Sequence, residues 1–301
     1  MENFVIVGGG PAGVSAALYA VRANKNPLVI ENGPRALKHA ESIENYYGNE
    51  ELLSGAELYE KGIRQAKKLG VRFLKAEVLG IEGFDTFMVK TTKGDFETVS
   101  VILATGSKRM TPKIPGIRKL EGKGVSYCAV CDAFFYRGKT TAVLGNGDFA
   151  LHEAEILSNT AGKVLILTDG AKENFSRKPE AEVLTGKIAA IIGEERVHAV
   201  RFEDGTETAV DGLFVAMGNA GSGEIARQMG AELTEKGMVK VDENMRTTIP
   251  GLYAAGDCTG GLLQVAKAVY EGCLAGIDAS KYVRDYRREH LEAEALELRQ
   301  D

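Results

Sequence analysis

Short apolar runs alternate with glycine-rich breaks and longer stretches of helical period along this chain, the pattern of an α/β protein. Asn3-Phe4-Val5-Ile6-Val7 predicts a buried strand, Gly8-Gly9-Gly10-Pro11-Ala12-Gly13 a tight turn and Val14 to Ala23 a helix, with a second strand from Pro27 to Ile30 that ends at Glu31. Ala56 to Leu69 has helical period, with Leu58, Ile63, Ala66 and Leu69 on one face. Three strand-like runs follow, Val71 to Glu77, Thr86 to Thr92 and Thr98 to Ala104, and predict a meander inserted into the first sheet. Pro112, Pro115 and Gly116 mark a linker. Beyond it Thr140 to Leu144 predicts a strand, Gly145-Asn146-Gly147-Asp148-Phe149-Ala150 a turn, Ala150 to Asn159 a helix and Lys163 to Thr168 a strand ending at Asp169. Runs at Val197 to Phe202 and Leu213 to Ala216 are expected to complete this second, smaller sheet. Met238 to Val241 and the stretch from Thr248 to Asp257 are strand-like, and Leu263 to Ala275 is helical. The charged tail from Lys281 to Asp301 reads as a solvated helix, with Tyr282 or Tyr286 packing over a partner site as the sharper alternative.

The strand, glycine turn, helix, strand and acid thus occur twice, which predicts two Rossmann-like nucleotide-binding domains. In the first, Gly8, Gly10 and Gly13 fill the G-x-G-x-x-G positions around Pro11 and Ala12. The first glycine permits the turn, the second lets a pyrophosphate approach the backbone, and the third lets helix and strand pack closely. The amides of the helix N-terminus then face the phosphates, and Glu31 is placed for a ribose hydroxyl. Ala104-Thr105-Gly106 ends a buried strand in small residues, as where backbone passes close to a ligand. Ala254-Ala255-Gly256-Asp257 before a helix can set Asp257 against a ribitol hydroxyl while the helix end faces an isoalloxazine ring. Two such modules suggest a flavin in one and leave a nicotinamide open for the other.

Composition narrows the function. The chain has 301 residues with 44% hydrophobic content, enough for two medium domains, and 36 glycines. A net charge of −5 and the absence of Trp favour no nucleic acid. No apolar run has the length of a membrane span and the N-terminus lacks a signal-peptide pattern, so a cytoplasmic protein without a membrane partner is expected. Four cysteines argue against a disulfide scaffold. Cys258 and Cys273 are isolated and expected to be buried, and without a second close pair no metal site is expected. The other two form Cys128-Ala129-Val130-Cys131-Asp132, a pair that can close and reopen a small disulfide. Asp132 is next to Cys131 and could move the proton of a departing thiolate if partial burial raised its pKa.

Taken in order, Gly8 to Gly13, Ala104-Thr105-Gly106, Cys128 to Asp132, Gly145 to Ala150 and Ala254 to Asp257 resemble the low-molecular-weight thioredoxin reductases over nearly the whole chain. That resemblance implies a two-dinucleotide-binding-domain flavoprotein in which the second domain is inserted into the first. Residues 1–111 and 218–301 would form the FAD-binding domain, with Gln264 and Val265 on the flavin side, and 115–217 the domain carrying the redox pair. It further implies a homodimer, with Cys131 nearer the flavin, Cys128 attacking the disulfide of a thioredoxin-like partner, and Asp132 exchanging the proton.

Three positions depart from that family. Thr168-Asp169-Gly170 stands where NADPH users carry His-Arg-Arg, Leu263-Gln264-Val265 where Arg-Gln-Ala is expected, and Ala133 where Gly follows the Cys-x-x-Cys-Asp. A carboxylate repels the 2′-phosphate of NADPH. The departures leave NADH, with Asp169 reading its ribose, or no nicotinamide, as in the ferredoxin-dependent flavin thioredoxin reductases, and ferredoxin is the preferred donor. Lys108, Arg109, Lys113, Arg118, Lys119 and Lys123, with only Glu121 against them, could steer an acidic carrier. The other classes weighed are a flavoprotein exchanging electrons between ferredoxin and a nicotinamide, which needs no Cys pair, and a non-enzymatic flavin redox sensor.

Overall fold

The computed structural model describes residues 2, 4–34, 37–38, 40–106, 112–127, 129–217 and 221–297, leaving aside the side chains of 130, 131 and 292–297. In chain order the elements are β1 (Val5–Val7), α1 (Pro11–Arg22), β2 (Leu28–Glu31), α2 (Gly55–Lys68), β3 (Arg72–Lys75), β4 (Val78–Glu82), β5 (Phe87–Thr91), β6 (Phe96–Thr98) and β7 (Val101–Leu103). Next come β8 (Val125–Ser126), α3 (Ala129–Asp132), β9 (Thr140–Leu144), α4 (Asp148–Ser158), β10 (Lys163–Leu167), β11 (Glu182–Leu184), β12 (Ile188–Gly193), β13 (Val197–Phe202), β14 (Glu207–Ala209) and β15 (Gly212–Val215). The last are α5 (Ser222–Gln228), β16 (Leu252–Ala254) and α6 (Val265–Glu297). Met1–Lys108 with Gly221–Asp301 form one compact unit and Arg109–Ala220 another.

The first unit is built on a parallel sheet of order β16-β7-β1-β2-β3. Its central strands are buried on both faces, as expected of β-branched runs covered by helices. α1 packs on this sheet and α6 packs on α1 at very short range. An added Cβ at Gly272 would stand 2.1 Å from the carbonyl oxygen of Ala12, and one at Gly276 2.4 Å from that of Ala16. Ser54 and Glu57 form a reciprocal capping box that starts α2. The buried face of α2 is Tyr59, Ile63 and Ala66, rather than Leu58, Ile63, Ala66 and Leu69, because the one-turn steps from the capped N-terminus put Tyr59 inward and leave Leu69 50% exposed.

Several expected strands fall elsewhere. Only Arg72–Lys75 of the run Val71 to Glu77 is extended, and it pairs in parallel with Leu28–Glu31 at the edge of the main sheet. The antiparallel meander is β4-β5-β6, a sheet of its own. Thr98 to Ala104 is not one strand: the Thr98 hydroxyl bonds the Ser100 carbonyl at 3.0 Å and the Ser100 hydroxyl reaches Gly251 at 2.6 Å, which turns the chain from one sheet into the other. Met238 to Val241 contributes only an isolated bridge, Leu233 to Val239. Nor does the last helix end near Ala275; it continues unbroken to Glu297, and Tyr282 and Tyr286, both partly buried, pack against this unit's own core.

The second unit has a parallel sheet of order β11-β10-β9-β15-β8 and a separate antiparallel sheet β12-β13-β14. β13, expected in the nucleotide-type sheet, belongs to the antiparallel one, where it pairs with β12 and β14. Ile117 and Leu120, just beyond the linker marked by Pro112, Pro115 and Gly116, are fully buried in this unit's core.

Candidate functional site

In the first unit the predicted residues meet at the carboxyl ends of β1, β2, β7 and β16, where open α/β sheets bind ligands. Gly8 has φ +118°, and a Cβ there would lie 2.3 Å from the carbonyl oxygen of Ala104. A Cβ at Gly13 would lie 1.8 Å from the carbonyl oxygen of Gly8, so the first and third glycines are required by packing alone. The second glycine differs: nothing lies within 4 Å of a Cβ built on Gly10. α1 begins at Pro11 with Gly10 as its uncapped N-cap, so no side chain competes for the amides of its first turn.

Glu31 closes one side of this cradle. Its Oε2 accepts the Gly33 amide at 2.7 Å and the Tyr59 hydroxyl. Burial, with the adjoining carboxylate, holds the Tyr59 phenol above its ordinary range, so it stays a donor. Thr105 and Ser222 are tied reciprocally, hydroxyl to hydroxyl at 2.8 Å and Ser222 amide to Thr105 Oγ1 at 2.9 Å. Gly106 has φ +81° and nothing within 4 Å of an added Cβ.

Gly256 (φ +87°) abuts α1, a Cβ there lying 3.0 Å from that of Ala12. Asp257 opens a single 3-10 turn, Asp257–Thr259, and its carboxyl is held above the usual range by burial, with Lys267 pulling down and Glu271 pushing up. Gln264 accepts from the Asn45 side chain at 3.1 Å, and Val265 is the first residue of α6. Leu263, the residue in place of an arginine, is 53% exposed.

In the second unit Cys128 and the side chain of Cys131 lie outside the described residues, as do Lys108 and Arg109. The backbone of Cys131 lies in α3, between Ala129 and Asp132. Asp132 is half-buried and accepts the Ser126 hydroxyl at 2.6 Å. Glu153, 1% exposed on α4, accepts the Ala129 amide at 2.8 Å. Phe134 and Phe135, just after the motif, are 70% and 67% exposed. Cys258 is buried, its thiol pushed up to about 11 by desolvation, whereas Cys273, expected to be buried, is only half so because α6 there faces partly outward.

The second glycine turn has a different mouth. The Asn174 amide bonds the Asn146 carbonyl at 2.8 Å, and Asn146 Nδ2 bonds the Lys172 carbonyl at 2.8 Å. Asp148, at the first position of α4, accepts the Ser176 amide at 2.7 Å. Residues 172–176 therefore lie along the turn, tied to the Asp148 side chain at the start of α4. Asp169, at φ +51°, spends Oδ1 on the Ile188 amide at 2.9 Å and Oδ2 on Lys187 Nζ at 2.9 Å.

The model of the pyridine nucleotide-disulphide oxidoreductase family matches residues 2–272. A thioredoxin reductase of Aquifex aeolicus is 33% identical over 300 residues, covering 93% of each chain. The chain belongs to this family, among the thioredoxin reductases. Of solved structures, the atypical thioredoxin reductase TRi of Desulfovibrio vulgaris Hildenborough has a TM-score of 0.89 at 39% identity, covering 95% of this chain and 99% of that one. A ferredoxin-flavin thioredoxin reductase of Clostridium acetobutylicum has a TM-score of 0.70 at 32% identity, covering 94% and 98%. The chain is an oxidoreductase with the fold of two Rossmann-like domains, and FAD is its cofactor. The first unit fits that group: an open cradle at Gly10, an uncapped helix end, an acid at the end of β2 and a second acid before α6. Among the described residues no helix is long and apolar enough to cross a membrane, and no cluster of His, Cys, Asp and Glu could hold a metal ion.

Sequence patterns missed Tyr59, Ser222, Lys267 and Glu271: the first two support Glu31 and Thr105 from 28 and 117 residues away, and the last two reach the Asp257 loop from the first two turns of α6. Only Glu57 after Ser54, as a helix-start signal, could have hinted that Tyr59 points inward.

Proposed function

We propose that this enzyme is an FAD-dependent disulfide reductase that passes electrons through the Cys128–Cys131 disulfide to thioredoxin or a thioredoxin-like protein, with ferredoxin rather than NADPH as donor. Gly8, Gly10, Pro11, Ala12, Gly13, Glu31, Ala104, Thr105, Gly106, Gly256, Asp257, Gln264 and Val265 hold the flavin in the outer, discontinuous domain, and the inserted domain carries the dithiol. The same resemblance extends to a cytoplasmic homodimer.

Bound FAD supplies a centre that gathers single electrons into the pair needed to reopen a disulfide. The Cys128 thiolate then attacks one sulfur of the partner's disulfide, forming a mixed disulfide and expelling the other sulfur as a thiolate. The Cys131 thiolate attacks Cys128, which restores the Cys128–Cys131 disulfide and frees the partner as a dithiol. Two electrons and two protons pass to the partner per cycle. Asp132, held by Ser126 at 2.6 Å, moves the proton of the departing sulfur. The exposed Phe134 and Phe135 offer an apolar contact for the protein substrate.

The donor assignment is carried by one observation, the run of residues 172–176 along the second glycine turn, bonded to Asn146 and Asp148. NADPH would need a cation where Asp169 stands. NADH would need its ribose to share the Asp169 carboxylate with the Ile188 amide and Lys187. The exposed Lys113, Arg118, Lys119 and Lys123 favour an acidic carrier protein. The ferredoxin-flavin relative adds weight to that choice.

The test is anaerobic. NADPH, NADH and reduced ferredoxin are added separately to the yellow protein and the flavin absorbance is followed; only ferredoxin is expected to bleach it, and rapid bleaching by NADPH would overturn the donor assignment. Cys128→Ser and Cys131→Ser should each abolish thioredoxin reduction with flavin retained, and normal turnover in either would refute the relay.

A further inference from the structure

A group of charged side chains that the relay does not use lies at the loop of Gly256 to Gly260. Lys267 Nζ stands 2.9 Å from the Gly256 carbonyl, 2.6 Å from the Gly260 carbonyl, 2.8 Å from the Thr259 hydroxyl and 3.0 Å from Glu271 Oε2. The same Glu271 oxygen accepts the Gly256 amide at 2.8 Å and the Thr259 hydroxyl at 2.9 Å. Both charged side chains are largely covered, 16% and 12% exposed.

Helix stability does not account for the lysine. It is the third residue of α6, where the positive end of the helix disfavours a cation. A largely covered ammonium also loses hydration that only its partners replace. What those partners have in common is the loop. Gly256 and Gly260 both take left-handed backbone, φ +87° and +81°, which is open to many conformations in glycine. The Lys267 ammonium holds the carbonyls of both glycines, and Glu271 holds the amide of the first. Asp257 lies between the two fixed points. Lys267 and Glu271 are also the charged groups that act on its carboxyl.

We propose that Lys267 is a positioning residue for the flavin: paired with Glu271, it locks the loop from Gly256 to Gly260 and thereby fixes the carboxylate of Asp257 toward FAD. This rests on Asp257 being a flavin ligand. Without the lysine, the loop loses its link between the two glycine carbonyls, and Glu271 becomes a covered carboxylate without its cation, close to Asp257. Removing Glu271's charge as well relieves that second penalty while a glutamine still accepts the Gly256 amide.

The experiment measures FAD release from the purified holoenzyme by flavin fluorescence on dilution. Asp257→Asn tests the site itself and is expected to weaken FAD about tenfold. Lys267→Met is expected to weaken FAD by a similar factor, Lys267→Arg to stay within about threefold of the parent, and K267M/E271Q to recover most of the loss. Recovery on deleting a second charge is not produced by a merely space-filling side chain. If Asp257→Asn holds FAD as tightly as the parent, the assignment of Asp257 is wrong. If Asp257→Asn releases FAD while Lys267→Met does not, or if K267M/E271Q shows no recovery, the positioning role is overturned. Should Lys267→Met fail to fold, Lys267→Gln is judged by the same criteria.

Discussion

The two glycine turns of this chain share a backbone plan and differ in what stands before them. Each follows a buried parallel strand, and in each the first glycine is pressed against a neighbouring strand end, with an added Cβ 2.3 Å from Ala104 O at Gly8 and 2.3 Å from Ala216 O at Gly145. The third position departs, Gly13 in one and Ala150 in the other. Beyond the second glycine the resemblance stops. Both helices start without a side-chain cap, but Gly10 faces open space, whereas Gly147 has residues 172–176 alongside it, held by Asp148. Packing thus demands the first glycine in both turns, and the motif alone does not report a bound nucleotide.

Alanine at the second glycine gives the sharpest break. Both Gly10 and Gly147 have extended backbone that alanine adopts, and neither has protein atoms closer than 3.8 Å to the new methyl. Gly10→Ala should fold normally yet lose FAD by about 10- to 100-fold, because the methyl stands where the pyrophosphate approaches, while Gly147→Ala should leave FAD content and turnover unchanged. Equal effects of the two on flavin content would erase the distinction. A smaller change is expected from Tyr59→Phe, which removes the hydroxyl that orients Glu31: FAD affinity should fall about three- to tenfold by fluorescence titration. The smallest concerns the second turn. Asp169→Ala should cost about 1 kcal/mol and lower Tm by about 2–4 °C, with no change in which donor bleaches the flavin. A new response to NADPH in that variant would show that Asp169 had been excluding the nucleotide directly.

The glycine spacing, the acids closing β2 and β10, and the Cys-x-x-Cys-Asp were legible because each is local: turn, helix start and strand end are adjacent in sequence. The parallel sheets followed from runs buried on both faces. Sheet membership was less legible. β3 and β13 were assigned to the wrong sheets because short amphipathic strands carry a face but no address; which partner a strand joins depends on connections tens of residues long. The face of α2 was misjudged for the same reason that Tyr59 was missed, since an aromatic residue with a polar tip suits either side of a helix until its hydrogen-bond partner is known.

By itself the sequence determined the chemistry this chain can carry: a dinucleotide cradle at Gly8 to Gly13, a dithiol at Cys128 and Cys131, and an acid where NADPH users carry arginines after β10. Tertiary structure alone decided which of those elements are accessible and how they are braced. Residues 172–176 come to lie along the second turn, each oxygen of Asp169 gains a partner from residues 187–188, and Lys267 and Glu271 reach back to grip the loop before α6. The physical reason is that a motif records the residues a ligand would meet, whereas the remaining hydrogen-bond partners of those residues are drawn from segments that folding brings alongside, with no spacing in the sequence to announce them.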